Sequence, residues 1–182
     1  KGRFDELSKI RKYRESVPDW LDELGEKALG EDLWTKELAA LNLQAEVVLR
    51  ANTLKTTKDN LRKTLLAENI ESDPIKGYPT ALKLRERGNV FTTEAFKNGF
   101  FEVQDASSQH VAPFLEVSPG QLVIDTCAGA GGKTLHLAAL MENKGQLIAM
   151  DIYANKLHEL KRRAKRDGAF NIETRTIDTT KV

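Results

Sequence analysis

The sequence predicts an α/β chain in three stretches: a helical N-terminal segment, a small α+β domain, and the first part of a parallel-sheet domain. Three observations predict it. Apolar residues recur at helical spacing through the first 45 positions. A strand, one helix and several short extended pieces cut by Pro and Gly occupy 46–104. From 105 to 182, short continuous apolar runs alternate with helical patterns, as in parallel strands covered by helices on both faces.

In the first stretch Phe4, Leu7, Ile10 and Tyr13 step by three and predict one helical face. Pro18 suits the first turn of a second helix carrying Trp20, Leu21 and Leu24, with Gly25 and Gly30 as stops. Leu33, Trp34, Leu38 and Leu41 predict a third helix, with Trp20 and Trp34 as core anchors. Val47 to Arg50 then reads as a strand. Thr56 or Thr57 caps a helix turning Leu61, Leu65 and Leu66 inward. Ala81–Leu84, Asn89–Phe91 and Phe100–Val103 read as short extended pieces. Such a unit serves as a packing module or as an RNA-contacting one, and it lacks the paired aromatic signature of an RNA-recognition sheet.

In the third stretch Asp105 reads as an N-cap, with Val111, Phe114 and Leu115 facing inward. Strands follow at 122–124, 147–150 and 171–177, with helices at 135–141 and 155–167, the latter stopped by Gly168. Such a sheet is incomplete, so an open edge is expected. Lys161, Arg162, Arg163, Lys165 and Arg166 form either a solvated helix face or a phosphate-contacting patch.

Composition narrows the function. Against 27 Asp and Glu, 28 Lys and Arg leave a net charge of +1, which excludes a polycationic tail and an acidic disordered segment. Apolar runs are far shorter than a bilayer needs, so no membrane partner is expected. One cysteine, Cys127, excludes an internal disulfide and a multi-thiolate zinc site, and no metal site is expected. With no visible secretory signal, a reducing cytoplasm is the expected location. Lys1 stands in place of an initiator Met, so a processed protein or a piece of a longer one is expected.

The chemistry concentrates in Asp125-Thr-Cys-Ala-Gly-Ala-Gly-Gly-Lys-Thr134, which follows an apolar strand and opens a helix. Its glycines let a ligand lie against backbone, and the helix start offers N–H groups. A nucleotide P-loop requires Gly where Cys127 stands, and a dinucleotide loop requires Gly or Ala where Thr134 stands. The acids beyond the loop separate the remaining reading. Asp151 ends the second apolar run at the spacing where a carboxylate meets ribose hydroxyls, and Asp178 follows the third, positioned to face an adenine. Loop, acid and acid at three successive strand ends describe an S-adenosylmethionine pocket.

The same loop resembles the cofactor motif of the Sun-type (NOP/Sun) RNA cytosine-5 methyltransferases, usually D-x-C-A-[AS]-P-G-G-K-T. Pro18-Asp-Trp-Leu21, Leu49-Arg-Ala-Asn-Thr-Leu-Lys55 and Gly99-Phe-Phe-Glu-Val-Gln-Asp-Ala-Ser-Ser-Gln109 agree as well. The resemblance implies a helical segment, an RNA-binding α+β domain and an incomplete Rossmann-type methyltransferase domain. It implies that Cys127, Ala128, Gly129, Ala130, Gly131, Gly132 and Lys133 wrap the methionine end of S-adenosylmethionine. Asp151 would then hold the ribose, Lys156 would lie near the cofactor and Asp178 beside the adenine. The implied substrate is RNA, ribosomal ahead of transfer RNA. Ala130 departs from the usual Pro, which leaves the loop less preorganised. The family's two catalytic cysteines lie on later strands that this chain does not reach, and Cys127 sits inside the cofactor loop. The fragment alone is therefore expected to be inactive. A non-catalytic RNA-binding module with a retained pocket is the alternative.

Overall fold

The computed structural model describes residues 2–178. One compact unit ends at Ala45 and a second begins at Glu46.

The first unit is helical: α1 (Gly2–Leu7), α2 (Arg11–Arg14), α3 (Asp19–Leu29) and α4 (Glu31–Leu41). The three-residue repeat predicted one continuous helix, but the chain breaks between Leu7 and Arg11, and Phe4, Leu7, Ile10 and Tyr13 are exposed. Periodicity alone does not hold a short helix when nothing buries its apolar stripe. Pro18 stands one residue before α3, in extended backbone. Gly25, expected as a stop, lies inside α3 because the Trp34 ring packs on it; a Cβ there would fall 2.3 Å from Trp34 Cε2. Gly30 is the actual stop, at φ +78°. Trp34 is buried with Leu38, and its indole N–H donates to Asp22 at 2.9 Å. Trp20 is 66% exposed and anchors no core.

The second unit opens with β1 (Val48–Ala51), α5 (Lys58–Ala67), β2 (Ser72–Pro74), β3 (Ala81–Leu84), α6 (Glu94–Lys97) and β4 (Phe101–Val103). The strands form one antiparallel sheet in the order β2-β3-β1-β4, a split β-α-β arrangement. Leu49, Leu61, Leu65, Leu82 and Phe101 fill its core, while Leu66 stays exposed. The Thr57 hydroxyl caps α5 through Asn60 N–H. Asn89–Phe91, expected to be extended, enters a 3-10 turn at Val90–Thr92, where the Asn89 side chain accepts from Phe91 N–H. Neither β2 nor α6 was legible; they have three and four residues, and Pro74 confines β2 to a sheet edge.

Beyond a 3-10 turn at Ser107–His110, whose start is held by the Asp105 carboxylate, come α7 (Val111–Phe114), β5 (Leu122–Asp125), α8 (Thr134–Leu140), β6 (Gln146–Asp151), α9 (Ala154–Asp167) and β7 (Ile172–Thr176). The strands are parallel in the order β5-β6-β7, a partial Rossmann-like sheet. Leu147 and Ala149 of central β6 are buried against Leu135, Leu157, Leu160 and Ala164 of the helices. An open edge was expected, and among the described residues β5 is an edge strand with Leu122 and Ile124 exposed. Val111, Phe114 and Leu115, expected to face inward, are exposed as well, because among the described residues nothing packs over them. No helix among the described residues is long and apolar enough to cross a membrane.

Candidate cofactor site

The loop of residues 126–133 links the carboxyl end of β5 to α8, and Asp125 pins both of its ends. One carboxylate oxygen accepts from Cys127 N–H at 3.2 Å, the other from the Thr134 hydroxyl at 2.7 Å. Ala128 N–H donates to the Met150 carbonyl at 3.0 Å and ties the loop to β6. At Gly129 the backbone enters the left-handed region, at φ +52°, and turns its N–H onto Asp151 Oδ2 at 2.8 Å. Gly131, at φ +91°, is required for a different reason: a Cβ there would lie 2.1 Å from Leu160 Cδ1 of α9.

Asp151 closes β6. Its other oxygen accepts from Tyr153 N–H at 2.9 Å. These two backbone donors hold the carboxyl below the usual carboxylate range, with Lys156 adding a smaller effect through its charge. Ile177 N–H donates to the Asp151 carbonyl, which brings the end of β7 alongside. The structure thus joins Gly129 and Asp151 directly. Lys156 is exposed in the first turn of α9, and Asp178 is exposed just beyond β7 at the same sheet edge. Cys127 and Lys133 are exposed, Ala128 is buried, and Ala130 and Gly132 are half-buried. Ile152 and Tyr153, exposed apolar side chains directly after Asp151, were not singled out from sequence.

The residues fit S-adenosylmethionine. A Cβ on Gly129 would meet no atom within 4 Å, so space lies open beside the loop backbone. The charged Asp151 carboxylate takes one N–H on each oxygen and keeps lone-pair capacity for hydroxyl donors. Among the described residues no cluster of His, Cys, Asp and Glu is arranged to hold a metal ion.

Sequence reasoning missed what stands behind the loop. The Arg50 guanidinium on β1 donates to the Gly132 carbonyl at 2.8 Å and to Gln104 Oε1 at 2.5 Å. Burial lowers its pKa to about 10, which leaves it charged at neutral pH. Arg163 on α9 donates to the Ala130 carbonyl at 2.7 Å and to Glu102 on β4, also at 2.7 Å. Glu102 additionally accepts from Arg166. The last carbonyls of α9 are capped from the small domain: Asn52 donates to Asp167 O and Lys55 to Arg166 O. At Gly99, φ +69°, a Cβ would collide with the Arg166 carbonyl at 2.3 Å. The signal was available, because Arg50, Asn52, Lys55, Gly99, Glu102 and Gln104 all lie in stretches quoted for the family resemblance.

The basic run on α9 is not one patch. Arg163 and Arg166 are half-buried and committed to Glu102, whereas Arg162 is exposed beside Glu159. Burial and the neighbouring Glu102 push the Asp167 carboxyl up to about 7, while the arginines hold Glu102 below the usual range against its burial.

Comparison with known proteins gives consistent matches. The family described as 16S rRNA methyltransferase RsmB/F matches residues 112–182, and the RsmF/B-like ferredoxin-like domain matches residues 17–91. A probable ribosomal RNA small subunit methyltransferase B from Synechocystis is 35% identical over 91% of this chain, and one from Bacillus subtilis is 33% identical over 91%. The chain spans 37% of the length of each. A crystal structure of a methyltransferase homolog protein from Pyrococcus horikoshii superposes with a TM-score of 0.82 at 26% identity, covering 91% of this chain and 54% of that one.

Proposed function

From the premise that the chain belongs to the RsmB/F methyltransferase family, we propose that it is the methyl-donor-binding part of an RNA cytosine-5 methyltransferase whose substrate is ribosomal RNA. The observation that carries this reading is the Gly129–Asp151 hydrogen bond at the carboxyl ends of two parallel strands, where such sheets take their ligands. In this reading S-adenosylmethionine, when bound, supplies a sulfonium methyl as electrophile. Residues Cys127 to Lys133 lie along its methionine end with the Gly129 face open to it. Asp151 accepts from the ribose hydroxyls. The apolar side chains of Ile152 and Tyr153, with Asp178 at the next strand end, border the adenine. Lys156 balances the charge of Asp151.

Cytosine C5 is a poor nucleophile until a thiolate adds to C6, so the reaction needs a cysteine placed against the base. Cys127 does not fill that role in this reading, because it belongs to the loop given to the donor's methionine end, whose backbone Asp125 pins at Cys127 N–H. The chain therefore binds the donor but transfers no methyl by itself, and the parent protein, acting in the cytoplasm, supplies the catalytic cysteines.

Transfer of labelled methyl from S-adenosylmethionine to small-subunit ribosomal RNA tests this. The parent protein is expected to yield 5-methylcytosine, and residues 1–182 alone are expected to yield none. Methyl on another base, or none from the parent, contradicts the reading; donor and RNA binding without transfer by the parent favours a non-catalytic module.

A further inference from the structure

Next to the loop, on the side of Ala130, a cleft of about 710 Å³ opens between the small sheet domain and α9. Phe91, Phe96 and Lys97 line it from one side, and Arg162, Arg163 and Arg166 from the other. Its aromatic residues are not all equally available. Phe96 is covered by the Arg166 guanidinium, 4.1 Å from the ring centroid. Phe91 touches Phe96 edge-on at 5.0 Å and is still 56% exposed. Edge contact fixes the Phe91 ring while leaving it open to a stacking partner.

The cations divide in the same way. Arg163 and Arg166 are spent on Glu102. Lys97 and Arg162 are exposed, and each is paired with a carboxylate three residues earlier on its own helix, Glu94 and Glu159. Such exposed pairs are worth only a few tenths of a kcal/mol, so a phosphate displaces the carboxylate readily. An open phenyl face with two releasable cations in one cleft matches the way single-stranded nucleic acid is held, by base stacking and phosphate contact without sequence readout. An acidic peptide would use the cations but not the ring. A regular duplex keeps its bases stacked inside and would leave the ring unused.

We propose that this cleft holds an unpaired nucleotide of single-stranded RNA, its base stacked on Phe91 and its flanking phosphates on Lys97 and Arg162. The proposal rests on the reading of the neighbouring loop as the methyl-donor site of an RNA enzyme. Because Ala130 belongs to both loop and cleft, the strand is led past the donor site, and the small domain contributes to RNA binding through its Phe91 turn and α6.

Fluorescence anisotropy of a labelled single-stranded RNA oligonucleotide with the 182-residue chain, titrated at several salt concentrations, tests this. Phe91→Ala is expected to weaken binding roughly tenfold with an unchanged salt slope, and Phe91→Trp to retain it. Lys97→Ala with Arg162→Ala is expected to weaken binding and to reduce the salt slope by about two. Both positions are exposed, so this variant folds even if Phe91→Ala does not. Wild-type affinity in both variants, no binding by the wild type, or equally tight and equally Phe91-dependent binding of a blunt duplex each overturns the proposal. Calorimetry with S-adenosylmethionine on the same samples separates the two readings. Donor binding with RNA affinity indifferent to the variants leaves the donor site standing and removes the cleft; variant-sensitive RNA binding without donor binding does the reverse.

Discussion

The Arg163 guanidinium donates to the Ala130 carbonyl at 2.7 Å while also holding the Glu102 carboxylate, so one side chain of α9 fixes the glycine loop and the small domain together. Arg50 does the same from β1 through the Gly132 carbonyl. Backbone carbonyls of the loop are thus turned away from its open face and satisfied from behind. A loop rich in glycine pays a large ordering entropy, and the buried Arg50 and half-buried Arg163 reduce the freedom it would otherwise keep.

Arg163→Met is expected to destabilise the chain by about 3 kcal/mol, because it strips a partner from buried Glu102 and leaves the Ala130 carbonyl unmet. Arg162→Ala, one residue away but exposed, is expected to change stability by no more than about 0.5 kcal/mol. Urea denaturation of both variants checks this; equal losses would show that the two arginines are alike.

Gly129 and Gly131 both have positive φ yet separate cleanly. Gly131→Ala is expected to cost about 2 kcal/mol or more, since the added methyl collides with Leu160 on top of backbone strain. Gly129→Ala meets no protein atom, so its stability cost is expected to be only the left-handed strain of about 1 kcal/mol. Its main effect is expected on donor binding, because the methyl would enter the open space that the proposed reading gives to the ligand. Thermal melting and donor calorimetry on the two variants read the two effects apart.

The Asp167 carboxyl, raised to about 7 by burial and by Glu102, gives a pH signature. Its folded pKa lies above the unfolded one, near 3.9. Its contribution is therefore fully present below about pH 4 and is lost as pH rises toward and through 7. Glu102 acts in the opposite sense: its folded pKa is lowered, so its contribution is present above the unfolded value and fades on acidification. Asp167→Asn keeps a neutral group at all pH values. The stability of this variant relative to wild type is expected to rise between pH 5 and pH 8, and a pH-independent difference in denaturation midpoint would refute the assignment.

The order of elements was legible because long patterns speak for themselves. The helix read at 155–167 and its Gly168 stop match α9 within one residue. The meeting of the glycine loop with Asp151 was legible from strand order, and the structure joins Gly129 N–H to that carboxylate. Other features depended on contacts distant in sequence. Gly25 read as a stop because nothing local reveals that Trp34 lies on it. Arg163 and Arg166 read as part of a charge run because their partner Glu102 stands more than sixty residues earlier. Phe114 and Leu115 read as core because apolar character does not say whether a covering element is at hand.

Asp151→Ala is expected to weaken S-adenosylmethionine binding by about 1.5–3 kcal/mol, since the ribose hydroxyls lose a charged acceptor. Titration calorimetry reads the loss directly, and unchanged affinity would contradict the role given to this carboxylate.

The most direct test of the central claim is a crystal structure of the chain with S-adenosylhomocysteine. The predicted result places the ribose hydroxyls on the Asp151 carboxylate and the amino-acid end along Cys127 to Lys133. A ligand seated elsewhere, with Asp151 still bonded only to Gly129 and Tyr153, would contradict it.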